Sequence, residues 1–356
     1  MLRFILAPAL PLALLVLACF WGGWWGLAAF VAMTVFASGL DRMLPPAPDE
    51  TAHLGAQQAH ALSVAMGLAH LGILPLGVWA LSQGAMSLPA ALATVGALGL
   101  FMGQIANSTA HELIHRPDRW SRRLGAAVYA SMLFGHHASA HRLVHHVHVA
   151  TAHDPNSAPL GMGFWTFLPQ AWIGSFMAGL RAETRLRARA RTARGPHPYV
   201  LYVLGSLCAL ALAWALGGPK AVAIWVALSA HAQMQLLLSD YVQHYGLRRV
   251  PLGDGRYEPA SARHSWNAPH WYSAAMMLNA PRHSDHHQNP GRAFPDLVLD
   301  DRAMPMLPRS LPEMATLALM PTLWRRVMDR RARKWASPVD RDSDNAPKAR
   351  TGLGIA

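Results

Sequence analysis

Apolar residues in this chain fall in runs of about 20, the length an α-helix needs to cross the hydrocarbon core of a bilayer. Six such runs stand out, at roughly 3–20, 23–40, 61–82, 87–110, 198–217 and 220–243. They fall into pairs. The first two are joined by "WGG", the third and fourth by "SQGAMS", and the last two by "GGPK", links short enough for antiparallel helical hairpins. Pro8, Pro11 and Pro75 lie within or near the runs, where neighbouring helices can satisfy the carbonyls that proline frees. The pattern predicts an all-α integral membrane protein with six transmembrane helices.

The positions of arginine orient this bundle. Arg3 precedes the first run, Arg42 follows the second, "RAETRLRARARTAR" lies between the fourth and fifth, and "WRRVMDRRARKW" lies near the C-terminus. The three hairpin links carry only Lys220. By the positive-inside rule both termini and all long loops are cytoplasmic, which suits a multi-pass protein of a bacterial-type inner membrane. The first run is longer than a signal-peptide core and has no clean cleavage site, so it reads as a retained helix. Apolar patches at 124–135 and 160–180 are too short or too broken for spans and are expected to be interfacial or buried helices. One membrane-embedded domain is expected over 1–336, followed by a polar, disordered tail over 337–356.

Composition agrees: the 356 residues are 52% hydrophobic and 14% charged, against a usual charged share of about a quarter. The formal charge is +12. No aromatic-basic recognition motif accompanies it, so nucleic acid is not an expected partner. Headgroup contact and docking of an acidic soluble protein are. Cys19 and Cys208 both lie in apolar runs, form no C-x-x-C pair and read as small buried residues.

The candidate chemistry lies in 20 histidines. "HELIH" places His111 and His115 four apart where the fourth run ends, on one helical face. Alone it is the H-E-x-x-H of zinc proteases. "HRLVHH" adds His141, His145 and His146; "DYVQHYGL" adds His244; "RHSDHH" adds His283, His286 and His287. By spacing, 141 with 145 and 283 with 286 share faces, and each doubled histidine can serve two neighbouring metals. One zinc needs about four ligands. Nine imidazoles at one membrane boundary point to two metals, and iron is the usual choice for dioxygen chemistry. His60, His70 and His231 read as packed residues, and His53, His197, His264 and His270 as loop residues. His136, His137, His148 and His153 are near the clusters without their spacing.

These motifs, with "VAT" and "DP" within 149–155, "GRYEP" at 255–259 and "HSWN" at 264–267, resemble the membrane alkane hydroxylases of the desaturase and hydroxylase superfamily. Xylene monooxygenase is the nearest alternative branch. The resemblance implies six spans, two non-haem irons held by the nine histidines, and dioxygen as co-substrate. It also implies hydroxylation of a terminal or benzylic C–H bond. Electrons would come from a rubredoxin or ferredoxin-type donor with its reductase, and the hydrophobic substrate from the bilayer. Asp240, Gln243 and Ala280-Pro281 depart from the family's usual residues. Glu112, Asp154 and Asp285 adjoin ligands and are expected to orient imidazoles or relay protons, with ion pairing to Arg116, Arg142 or Arg282 as the competing role. The competing functions are an acyl-chain desaturase or hydroxylase on the same centre, an intramembrane zinc protease using Glu112 as base, and a non-catalytic metal binder or transporter.

Overall fold

The computed structural model describes residues 1–46, 55–190 and 195–336; the tail expected over 337–356 lies outside them. Among these residues five helices are long and apolar enough to cross a membrane: α1 (Leu2–Trp21), α2 (Trp25–Met43), α3 (Ala56–Ser82), α4 (Leu88–Ile114) and a fifth, Pro198–His244. Two shorter helices precede the fifth, α5 (Arg119–Ser131) and α6 (Phe164–Arg189). They cover the two apolar patches. Asp118 starts α5 by accepting the Ser121 N–H at 2.8 Å, and α6 turns Trp165, Trp172 and Ile173 outward.

The fifth helix, α7, has 47 residues, about 70 Å if straight and over twice the bilayer core. It is not straight. Helical geometry fails at Gly217 and at Gly218, where φ is 63° and ψ −149°, a region open in practice only to glycine. Ser206 Oγ donates to the Ala130 carbonyl at 3.0 Å, and Trp225 Nε1 donates to the adjacent Ser131 carbonyl at 2.8 Å. Those two donors would stand about 28 Å apart on a straight helix. The chain therefore doubles back at the glycines, and α7 is a helical hairpin.

Lys220 reaches Gly84, and Met86 packs on Gly22, which gathers all three short links at one end. The opposite end carries the histidines. There Asp41 Oδ1 accepts the N–H groups of Tyr272 and Ser273 at 2.8 and 3.0 Å, capping the helix Trp271–Met276. Arg42 pairs with Glu313. The segment after residue 262 is thus fastened beneath the long helices. A small antiparallel ribbon, Pro251–Gly253 with Arg256–Tyr257, was not foreseen from "GRYEP". Cys19 is buried as expected, but Cys208 is exposed on the outer face of α7, because a residue of an apolar run can face lipid as well as core.

Candidate metal centre

Four segments converge. The last turns of α4 bring His111 and His115; the helical stretch 137–148 brings His141, His145 and His146. The end of α7 brings His244, and α8 (His283–Gln288) brings His283, His286 and His287. Ahead of α8, Leu278 and Asn279 both hold φ near 50°, an uncommon pair of left-handed residues that turns the chain into the site. Asn279 Nδ2 holds this turn by donating to the Phe294 carbonyl at 2.9 Å.

The nine imidazoles divide into two groups, each with one nitrogen per ring within 4.8 Å of the others. One contains His111, His115, His141, His146 and His286; the other contains His145, His244, His283 and His287. Spacing placed rings on shared helical faces and left open which of them lie in one group. His141 and His145, four apart, go to different groups, because His141–His145 forms a π-helical turn. Its i→i+5 repeat aligns His141 with His146, whose Nε2 atoms are 3.0 Å apart. Likewise His283 pairs with His287 rather than with His286, at 3.1 Å between Nε2 atoms. Each doubled histidine does serve both groups: 145 and 146 separate, as do 286 and 287.

The nitrogens are arranged for metal rather than for one another. His146 Nε2 is 3.0 Å from both His141 Nε2 and His286 Nε2, and His244 Nε2 is 3.0 Å from His283 Nε2. Two nitrogens at right angles about a metal roughly 2.1 Å from each would be about 3.0 Å apart. The buried Nε2 atoms of His111, His115 and His145 have no hydrogen-bond partner among the described residues, a costly state for a polar atom unless something else binds it. The donor set fits a pair of transition-metal ions that accept imidazole.

Hydrogen bonds on the far side of two rings fix which nitrogen faces inward. His145 Nδ1 donates to Asp154 Oδ2 at 2.8 Å, and His244 Nδ1 donates to the His264 carbonyl at 3.2 Å. Their Nε2 lone pairs therefore point at the centre. Burial, reinforced by repulsion from neighbouring imidazoles, lowers the pKa of His141, His146, His283, His286 and His287, so these rings are held in the neutral, ligating form. His145 moves the other way: burial lowers its pKa, but Asp154 outweighs it and the net shift is upward. Burial raises Asp154, yet His145 and the hydrogen bonds around it hold its carboxyl below the ordinary value.

The three acidic residues singled out in the sequence have different surroundings. Asp154 holds His145 and also accepts from Ser157 Oγ at 2.6 Å. Glu112 pairs with Arg116. Asp285 pairs with Arg292 at 2.6 Å and accepts the Val298 N–H at 2.9 Å. Among the described residues no hydrogen bond joins Glu112 or Asp285 to a clustered imidazole. Asn156, which the motifs did not single out, donates to buried Asp240 at 2.6 Å and links the Asp154 loop to α7. The Asp-Pro-Asn-Ser run after the second histidine motif was the available signal, since such residues hydrogen-bond back to local backbone. Gln243 donates to the Ala280 carbonyl at 3.1 Å, so two of the departures from the family pattern touch each other.

Outside the two groups, His70 is buried against Ser131 Oγ at 2.9 Å and His137 stacks beside His141. His148 and His153 pack on each other. His264 lies in a turn as expected but is buried, between Ser261 and Glu258.

A cavity of about 180 Å³ leads from His111, His141 and His283 along α4 and α7 to Leu100 and His231. On α4 His111 and Leu100 are about 16 Å apart along the helix axis. Gly99 and Gly103 let the two helices approach here: a Cβ on Gly103 would stand 2.5 Å from the Gln235 side chain. Such small-xxx-small spacing is common where membrane helices pack.

A model of the fatty acid desaturase family matches residues 85–318, a span that holds all nine clustered histidines. Alkane 1-monooxygenase 2 of Pseudomonas aeruginosa is 31% identical over 299 residues, covering 82% of this chain and 79% of that protein. An alkane 1-monooxygenase of Pseudomonas putida is 32% identical over 271 residues, with coverage of 75% and 67%. The xylene/toluene monooxygenase hydroxylase component XylM of Pseudomonas putida is 27% identical over 372 aligned residues, covering 99% and 95%. With its apolar helices and paired histidine groups, the chain is a multi-pass membrane enzyme belonging to the alkane 1-monooxygenase family, oxygen-dependent monooxygenases within the wider fatty acid desaturase family.

Proposed function

We propose that this enzyme hydroxylates the terminal C–H bond of medium- or long-chain alkanes to primary alcohols at a centre of two non-haem irons. The observation that carries this reading is the division of nine imidazoles into groups of five and four, a donor set for two metals and far in excess of one zinc. The iron pair, when bound, supplies the redox chemistry that activates dioxygen with two electrons. His111, His115, His141, His146 and His286 would hold one metal; His145, His244, His283 and His287 would hold the other.

The chain's own residues do the rest. Asp154 holds the His145 ring in the ligating tautomer and keeps a negative charge beside the centre. Leu100, Met234 and Leu238 line the cavity and offer an apolar chain a dry path to the metals, which protects a strong oxidant from water. Glu112 and Asp285 act at one remove, through Arg116 and Arg292, by fixing the ends of α4 and α8. The two arms of α7 serve as the fifth and sixth spans of one domain over 1–336. Both termini and the histidine end then face the cytoplasm across an inner membrane. A rubredoxin or ferredoxin-type donor would dock on that basic face.

A second reading is benzylic methyl hydroxylation, favoured by the alignment of XylM across 99% of this chain. Acyl-chain desaturation or hydroxylation uses the same centre. One experiment separates them: express the enzyme with a rubredoxin and its reductase, supply n-alkanes, xylene and acyl lipids together, and identify oxygenated products by mass spectrometry. Primary alcohols from alkanes support the proposal. Benzylic alcohols alone support the second reading, and an alkene or hydroxylated lipid alone overturns both. Zinc at full occupancy in active protein would overturn the iron assignment.

A further inference from the structure

Away from the histidines, a groove of about 590 Å³ opens at the same end of the molecule, between α5, the stretch 137–148 and the start of α7. Arg119, Arg122, Arg123 and Arg142 line its mouth, and Glu183 is the one carboxylate in the lining. That carboxylate is already engaged, accepting from Ser139 Oγ at 2.6 Å. Arg142 has Arg122 as a repelling neighbour and Glu183 as an attracting one, and has no hydrogen bond to the described residues. Among the described residues Arg122 donates only through Nη1, to the backbone carbonyls of Arg116 and Pro117. Two guanidiniums thus face one space with most of their donors free, the fork geometry that phosphate oxygens fit.

The inner wall of the groove changes character. Ala126, Ala127, Ala130, Leu201 and Gly205 form it. Ala127, Ala130 and Gly205 also begin a second, adjoining cavity of about 250 Å³ bounded by Leu71, Leu74 and Leu212. From Leu201 to Leu212 the apolar track follows α7 for about 16 Å. The helix ends at its mouth, Ile114 of α4 and Pro198 of α7, put the arginines at the level where a span leaves the bilayer. Exposed Trp120 stands there too, with the Arg119 and Arg123 guanidiniums 5.2 and 4.9 Å from its ring centre. Trp and basic residues together mark the headgroup layer.

We propose that this groove is a specific site for one anionic phospholipid, with its phosphate between Arg122 and Arg142 and an acyl chain along the Leu201–Leu212 face of α7. Charge selects the headgroup: four arginines against one occupied carboxylate favour a lipid with net negative charge over a zwitterionic one. The apolar track selects a tailed ligand over free phosphate. Bound there, the lipid ties α5 to both the histidine-bearing stretch 137–148 and α7. The proposal rests on the chain being a membrane protein and does not depend on its substrate.

The test uses full-length, metal-loaded protein, delipidated in detergent and then offered phosphatidylglycerol, phosphatidylcholine with the same acyl chains, or inorganic phosphate. Native mass spectrometry counts retained lipid, and thermal unfolding reports stabilisation. The expected result is about one retained phosphatidylglycerol per chain, with a higher unfolding temperature, and little retained phosphatidylcholine. Arg142→Gln and Arg122→Gln should each weaken phosphatidylglycerol retention by about tenfold. Leu212→Gln, on the exposed face of α7, should weaken it as well and tests the tail site if an arginine variant fails to fold. Equal retention of both lipids, unchanged retention in all three variants, or equal stabilisation by inorganic phosphate would overturn the proposal.

Discussion

His145 Nδ1 and Asp154 Oδ2 are 2.8 Å apart in a fully buried pair. Asp154 is the only one of the three acidic residues adjoining the histidine motifs that hydrogen-bonds to a clustered imidazole among the described residues. The bond places the Nδ1 proton on the far side of the ring and turns His145 Nε2, which has no hydrogen-bond partner among the described residues, toward the other imidazoles. Replacing Asp154 by Asn keeps the shape and removes the charge. We expect a 10- to 100-fold loss in metal affinity or turnover, typical for such supporting groups, with little change in helix content. Metal analysis and turnover of Asp154→Asn check this. Full metal and full activity would refute the role.

The two histidine groups should respond separately to mutation. His287→Ala removes an imidazole from the group of four, and His115→Ala removes one from the group of five. Each is expected to lower bound iron from about two toward about one per chain. The double variant should approach zero, with hydroxylation lost in all three. Elemental analysis of purified protein gives the stoichiometry. If either single variant loses both metals at once, the groups act as one cooperative site.

Acid should destabilise metal-free protein. The pKa values of His141, His146, His283, His286 and His287 are lowered in the fold, so the unfolded chain binds more protons once the pH drops below about 6.5. Stability that is present above that pH is therefore lost as the pH falls through it. His145 has the opposite sign but is one ring against five. Unfolding temperatures measured at pH 8 and pH 5.5 on metal-stripped protein should differ by several degrees, and metal-loaded protein should show a smaller difference. Equal stability at both pH values would contradict the buried, neutral state of these rings.

The hairpin in α7 depends on Gly218, with φ at 63°. Ala there meets no atom within 4 Å, so its effect is backbone strain alone, of about 1–3 kcal/mol. Gly217→Ala is different, because its Cβ would press into Ser82 at 2.7 Å from that side chain's Cβ. Both variants should lower the unfolding temperature, and only the second should be partly rescued by Ser82→Gly. Thermal unfolding in detergent decides.

The cavity between α4 and α7 should set which substrates fit. Leu100→Trp enlarges a side chain that lines the cavity and narrows the passage at its far end. We expect turnover of long chains to fall more than that of short ones, with the metals retained. Product yields across a series of chain lengths measure this. A uniform loss at every length would mean that the substrate does not use this passage.

Most of the element plan was legible because its signals are local. A run of about 20 apolar residues must satisfy its own backbone in lipid, and only a helix does so within one segment. Short Gly-containing links between such runs imply hairpins, and Gly217-Gly218 fulfils that for α7. The nine histidines were legible for a similar reason, since helical spacing brings neighbouring rings to one surface. What the spacing left open was which rings lie together in one group. His141 pairs with His146 rather than His145 because of a single π-helical turn, and nothing in the residue pattern distinguishes that turn from an α-helical one.

The sequence alone therefore determined which residues could ligate metal, and that they would gather at one end of a bundle of apolar helices. Tertiary structure decided which rings lie together, that Asp154 hydrogen-bonds to one of the clustered imidazoles, and that Arg122 and Arg142 face one groove. The reason is physical. Helix formation and ligand chemistry follow from spacing along the chain. Contacts between residues distant in sequence depend on how helices turn and pack, which bulges, caps and glycines set in three dimensions.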